Sequence, residues 1–150
     1  MILPKMPKSM VVVGSGAIGS EFAYFYSAMG TKVTLVEFMP NVVPVEDEEV
    51  SKQLERSFKK MGMTVMTSSE VLSVDTKGDG CKVKIKSKVG EEIIDCDIVL
   101  SAVGIAANLE NIGLEEVGIA TDKGKILTNP YYQTNIPGYY AIGEIGRAHV

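Results

Sequence analysis

The sequence predicts a three-layer α/β domain in which a central parallel sheet carries helices on one face and an antiparallel β-meander on the other. Three observations predict it. Through residues 10–62, β-branched apolar runs alternate with amphipathic segments, the order strand, helix, strand, helix that builds a parallel sheet with right-handed crossovers. Residues 70–95 then switch to alternation punctuated by Gly78, Gly80 and Gly90, the pattern of antiparallel hairpins. DIVLSAVG, Asp97 to Gly104, returns to the continuous apolar run of a strand buried on both faces.

Taken in order, residues 1–9 (MILPKMPKS) contain two prolines and read as a linker, leaving 10–150 as the domain proper. MVVVG, Met10 to Gly14, is the first strand. Ala17 to Met29 is a helix in which Phe22, Phe25, Tyr26 and Met29, three and four residues apart, are expected to form one apolar face, and Gly30 ends it. Lys32 to Phe38 is the second strand, and a charged helix runs from about Glu46 to Met61, closed by Gly62. The acidic run Glu46 to Glu49 suits a helix start, where negative charge meets the positive end of the macrodipole. Met63 to Ser68 is a third short strand. In the meander, Val83 and Ile85 alternate with Lys82, Lys84 and Lys86, so one face packs and the other is wet. The last third is rich in loops, with short strands expected at Ile126 to Thr128 and Tyr139 to Ile142.

Composition narrows the function classes. A chain of 150 residues with 45% apolar and 23% charged side chains fits one globular domain with a real core. A net charge of −4 with scattered basic residues argues against nucleic acid. The two cysteines, Cys81 and Cys96, form no CxxC and have no nearby histidines, so they read as reduced core or strand residues and not as metal ligands. The single histidine, His149, excludes a multi-histidine metal centre, and no catalytic residue is assigned. No run reaches the roughly 18 apolar residues of a membrane helix, and the N-terminus lacks a secretory signal. A bacterial cytoplasm or a mitochondrial matrix is the expected setting.

The chemistry concentrates in Gly14-Ser15-Gly16-Ala17-Ile18-Gly19, a G-x-G-x-x-G hexapeptide between strand and helix. The three glycines have separate roles. Gly14 turns tightly out of the strand, Gly16 lets backbone approach a pyrophosphate, and Gly19 lets the helix pack on the sheet. The N–H groups of the first helical turn then face the anion. Glycine-rich turns also occur for backbone reasons alone, so context decides. Here the motif follows a strand, opens a helix, and is followed by a second strand ending in Glu37, eighteen residues after Gly19, where a carboxylate can accept bonds from an adenosine ribose. Because a carboxylate repels a ribose 2′-phosphate, and no arginine stands beside it, NAD is expected over NADP. Glu21 reads equally as an acidic residue near a helix N-terminus or as a group pointing toward the nicotinamide end.

With these residues located, nearly the whole chain resembles the NAD domain of the dihydrolipoamide dehydrogenases, a branch of the flavoprotein disulfide reductases. LPKMPKSMVVVGSGAIGSEFA is similar to the family's linker, strand and NAD loop, including Ile18 and Glu21 of its G-x-G-x-I-G-x-E pattern. TLVEF resembles the ribose-binding strand end, and LSAVGIAANLENIGLEEVGI the strand and loop before the flavin-facing segment. TNIPGYYAIGEI is similar to T-x-x-P-x-x-Y-A-I-G-D. The resemblance implies a Rossmann-like FAD/NAD(P)-binding fold and NAD contacts from Gly14, Ser15, Gly16, Ala17, Ile18, Gly19, Ser20, Glu21 and Glu37, with Val71 by the adenine and Gly104 toward the nicotinamide. It also implies that Glu144 stands where a flavin-binding Asp would, and that Ala148 and His149 end an L-A-H segment beside the flavin.

Three positions depart from the family. Ile105 replaces a common arginine, Glu144 replaces Asp, and the stretch from Glu144 to Ala148 is short. The chain also holds no C-x-x-x-x-C redox pair, so it is expected to be a fragment of a larger flavoenzyme, binding NAD but inactive alone, with FAD seated mainly by a domain outside it. By resemblance the full enzyme is a homodimer that oxidises dihydrolipoamide through a disulfide and FAD to NAD+, and serves 2-oxoacid dehydrogenase or glycine cleavage complexes. NADH oxidases and coenzyme A disulfide reductases share the loop, and a freestanding nucleotide-binding regulatory module is the reading from another class.

Overall fold

Successive side chains of a strand point to opposite faces, and in the first strand, β1 (Ser9–Val13), both faces are apolar because both are covered. The computed structural model describes residues 3–145. It forms two compact units, Met1–Gly104 and Ile105–Val150. In the first, β1, β2 (Lys32–Val36), β3 (Thr64–Met66) and β7 (Ile98–Ser101) are parallel and lie in the order β3-β2-β1-β7. β1 is central, pairing Val11 with Thr34 on one side and with Val99 on the other.

Met10 and Val12 of β1 and Val33 and Leu35 of β2 turn to one face. There they meet Ala23 and Tyr26 of α1 (Ala17–Ala28) and Phe58 of α2 (Glu48–Lys60). Val11 and Val36 turn to the other and meet Val83, Ile85 and Cys96 of the antiparallel meander formed by β4 (Glu70–Gly78), β5 (Gly80–Ser87) and β6 (Gly90–Cys96). The three layers are those expected from the sequence. Val83 and Ile85 are fully buried while Lys82 and Lys86 stay exposed, so the alternation in β5 sorts its two faces as read.

One expectation fails. Tyr26 is 4% exposed and Phe22 packs beside the core, but Phe25 and Met29 are 50% and 57% exposed. The face of α1 that lies on the sheet is made by Gly19, Ala23 and Tyr26 instead. Gly19, Ala23 and Tyr26 lie at i, i+4 and i+7, one stripe of the helix, which leaves Phe25 and Met29 to one side of it. Phe25 is left packing edge-on against Tyr26, ring centroids 5.1 Å apart.

The acidic run before α2 behaves as a cap. Asp47 Oδ1 accepts from the N–H of Glu49 at 2.8 Å and of Val50 at 3.3 Å, and Glu48 and Glu49 occupy the first turn. Asp47→Ala is expected to cost about 1 kcal/mol, the usual worth of such a cap, read as a lower urea midpoint with an unchanged slope. The entry into β1 is tied down: Asp97 Oδ2 accepts from the N–H of Lys8 and Ser9 at 2.6 and 3.1 Å, and the bonds from Ser9 and Lys8 hold its carboxyl below the usual range.

In the second unit a single helical turn, α3 (Leu114–Val117), lies between Gly113 and Gly118, both left-handed. The short hairpin of β8 (Thr121–Asp122) and β9 (Lys125–Ile126) follows. The Asn135 side chain accepts from Ala120 N–H and donates to the Gly118 carbonyl, both at 2.8 Å. Of the strands expected here, Ile126 falls in β9, but Tyr139 to Ile142 is not a strand. It makes one bridge, between Gln133 and Tyr140, because the segment folds back through its own turn, Tyr139 N–H bonding to Ile136 O.

Candidate functional site

The three glycines differ in what a side chain at each would meet. Gly14 has φ +94°, and a Cβ there would lie 2.5 Å from the Ala102 carbonyl oxygen. Its N–H donates to Val36 O at 2.8 Å, which ties the loop to the end of β2. At Gly19 a Cβ would overlap the Gly14 carbonyl. These two are glycine for the fold. Gly16 has an ordinary extended conformation, φ −60° and ψ −178°, and among the described residues, itself and its two neighbours aside, no atom lies within 4 Å of a Cβ built on it. Among the described residues no contact of the fold requires glycine at that position. Gly16 is also the N-cap of α1, with no side chain to cap the helix and no acidic residue in the first turn, so the first amides and the positive end of the dipole are left for an anion.

Behind the loop, Ser15 is fully buried and joins it to β2. Its N–H and Oγ donate to Glu37 Oε2 at 2.8 and 2.7 Å, and its Oγ accepts from Val43 N–H at 3.2 Å. Ser20 Oγ donates to the Ser15 carbonyl at 2.9 Å. Glu37 is 6% exposed, and its Oε1 accepts from Met39 N–H at 2.8 Å. An ionised carboxylate offers about four acceptor positions. Three bonds are present, one to Oε1 and two to Oε2, so the room for a further donor is on Oε1.

A cleft of about 510 Å³ opens at the carboxyl ends of the parallel strands, where open α/β sheets place their ligands. It brings together Gly14, Gly16, Glu37, Val71 and Gly104. Ser15, Gly19 and Ser20 lie buried behind it, and Ala17, Ile18 and Glu21 sit exposed on the start of α1. The side chain of Glu144 and the whole of Ala148 and His149 lie outside the described residues.

Sequence reasoning missed the apolar wall: Phe38, Met39, Pro44 and Val103 also line the cleft, and Phe38 and Val103 are 69% and 73% exposed. Both were read as the last apolar residues of strand runs, but β2 ends at Val36 and β7 at Ser101, so Phe38 and Val103 stand beyond the strand ends. Among the described residues there is no cluster of metal-ligating side chains and no helix long and apolar enough to cross a membrane.

Layers, strand order and a glycine loop at the switch from strand to helix define a three-layer α/β domain with its cleft at the carboxyl ends of the parallel strands. The chain belongs to the pyridine nucleotide-disulphide oxidoreductase family, whose model matches residues 1–148. It is 42% identical over 141 residues to a dihydrolipoyl dehydrogenase of Rhizobium etli, covering 93% of this chain and 29% of that protein. To the mitochondrial dihydrolipoyl dehydrogenase of Pisum sativum it is 40% identical, covering 97% of the chain and 30% of the relative. The crystal structure of LpdA from Mycobacterium tuberculosis matches with a TM-score of 0.86 at 30% identity, covering 98% of this chain and 32% of that one. The chain thus spans about 30% of the length of these relatives.

Proposed function

We propose that this chain is the NAD-binding part of a dihydrolipoamide dehydrogenase. The observation that carries the reading is Gly16: an extended, unstrained glycine with empty space over its Cβ position, at an uncapped helix N-terminus, on the rim of a cleft that also holds Glu37. A pyrophosphate fits that cradle, and the ribose it carries meets the acceptor position left on Glu37 Oε1. NAD, when bound, supplies the hydride-accepting ring. The chain's own residues hold it: the amides at the start of α1 take the phosphates, Glu37 the ribose, Val71 the adenine side and Gly104 the nicotinamide side.

In this reading the redox disulfide, the catalytic histidine and most of the FAD site belong to the rest of the enzyme, which works as a homodimer within a 2-oxoacid dehydrogenase or glycine cleavage complex in a bacterial cytoplasm or mitochondrial matrix. The level of identity to dihydrolipoyl dehydrogenases over nearly all of the chain favours this branch over NADH oxidases and coenzyme A disulfide reductases.

The isolated chain is expected to bind NAD and catalyse nothing. The check is purified protein with dihydrolipoamide and NAD+, with and without FAD, followed at the NADH absorbance, alongside calorimetric titration with NAD. Turnover surviving replacement of both cysteines by serine, or no heat of NAD binding at millimolar protein, would count against the assignment.

A further inference from the structure

Cys81 on β5 and Cys96 on β6 stand directly opposite each other in the antiparallel register. Directly paired residues put their side chains on the same face, with Cα atoms about 4.5 Å or 5.5 Å apart according to their place in the hydrogen-bond ladder. Both spacings fall within the roughly 4.4–6.8 Å that a disulfide spans. Both thiols are free, and both border a cavity of about 300 Å³ at the end of the hairpin remote from its Ser87–Gly90 turn. Cys96 is 7% exposed, packed in the core cluster with Val11 and Val83. Burial, and next the neighbouring Cys81, push its thiol up. Cys81 is only half-buried, its Sγ 4.0 Å from the Asp97 carbonyl oxygen. Asp75, Asp79, Asp95 and Asp97 also line this cavity, against one cation, Lys82. Anionic oxidants are repelled by that rim, whereas a small neutral one passes.

We propose that Cys81 and Cys96 form a redox modification site, a dithiol that hydrogen peroxide closes to an intrachain disulfide. The Cys81 thiolate attacks one peroxide oxygen; the O–O bond breaks, hydroxide leaves and takes up the thiol's proton as water, and Cys81 carries a sulfenic acid. The Cys96 thiolate then attacks that sulfur, the S–O bond breaks, and the oxygen leaves as a second water with the Cys96 proton. Two thiols and one peroxide become one disulfide and two waters. Linking two strands already in register leaves the sheet in place and removes freedom mainly from the unfolded chain.

The test is the native chain exposed to hydrogen peroxide, then alkylated and weighed. The expected result is loss of two hydrogens with no alkylated thiol, full recovery of both thiols with dithiothreitol, and a melting temperature about 5 °C or more above that of the reduced protein. The same treatment with anionic glutathione disulfide should react at least about tenfold more slowly at low salt. In Cys96→Ser the reaction should stop at a sulfenic acid on Cys81 that dimedone captures. Two thiols still alkylated, sulfinic acid on Cys81 beside an intact Cys96 thiol, or chains cross-linked to each other would each overturn the proposal, and all three are read on the native protein without recourse to a variant.

Discussion

Gly16→Val is expected to abolish NAD binding, weakening it on the order of 100-fold or more, while the protein stays folded. The backbone at Gly16 is in a region any residue adopts, and a Cβ there meets nothing, so the fold has no objection. Valine is a poorer N-cap than glycine, a cost of about 1 kcal/mol at most. In the proposed complex the added methyls would occupy the space through which a pyrophosphate reaches the helix amides. Gly14→Ala and Gly19→Ala are the informative contrast. Each places a Cβ into a backbone carbonyl, of Ala102 or of Gly14, where no flexible side chain can yield. Those variants should lose stability first and binding only as a consequence. Circular dichroism and calorimetric titration on the three variants separate the roles; NAD binding retained in Gly16→Val would remove the observation on which the functional reading rests.

The distinction among the three glycines shows how far the sequence could be read. Spacing alone placed the hexapeptide between β1 and α1 and gave each glycine a role. The parallel strands were legible because they are apolar on both faces, and the meander because Val83 and Ile85 alternate with lysines. What was not legible depended on contacts between segments distant in the chain. The face of α1 was misread because Phe25 and Met29 have the spacing of a core stripe, yet the stripe that lies on the sheet is Gly19, Ala23 and Tyr26, at i, i+4 and i+7. Tyr139 to Ile142 has the composition of a strand but only one bridging partner at Gln133, and strand formation needs a neighbour that local sequence does not reveal. Ser15 was read, by resemblance, only as one of the NAD contacts of the loop. Its bonds to Glu37, Val43 and Ser20 brace the loop beside the Gly14 bond to β2, and nothing in a G-x-G spacing requires that x be a hydroxyl.

That link governs the remaining large effect, discrimination between NAD and NADP. Glu37 is held by Ser15 and by the Met39 amide, so its carboxylate cannot swing away from a ribose 2′-phosphate. Two like charges about 5 Å apart at an effective dielectric constant of about 20 repel by about 3 kcal/mol, or two powers of ten in affinity. Native protein is therefore expected to bind NADP about 100-fold more weakly than NAD. Glu37→Gln keeps the shape and an oxygen to accept from Ser15 but removes the charge and puts an NH2 where Oε1 accepted from Met39 N–H, so the ratio should fall to within about tenfold while NAD itself weakens as well, its ribose acceptor replaced by a donor. Glu37→Ala should narrow the ratio too, but at a cost in stability, because the buried Ser15 donors then lose their acceptor, about 1–3 kcal/mol for each group left unpaired. Ser15→Ala completes the set. It keeps the charge and the backbone bond from the residue 15 N–H while removing the hydroxyl, so NADP should remain excluded and both cofactors should weaken together as the carboxylate loosens. Equal affinities for the two cofactors in the native protein, or a Glu37→Gln variant that still excludes NADP, would move the ribose site away from Glu37 and leave the buried carboxylate as a brace for the loop alone.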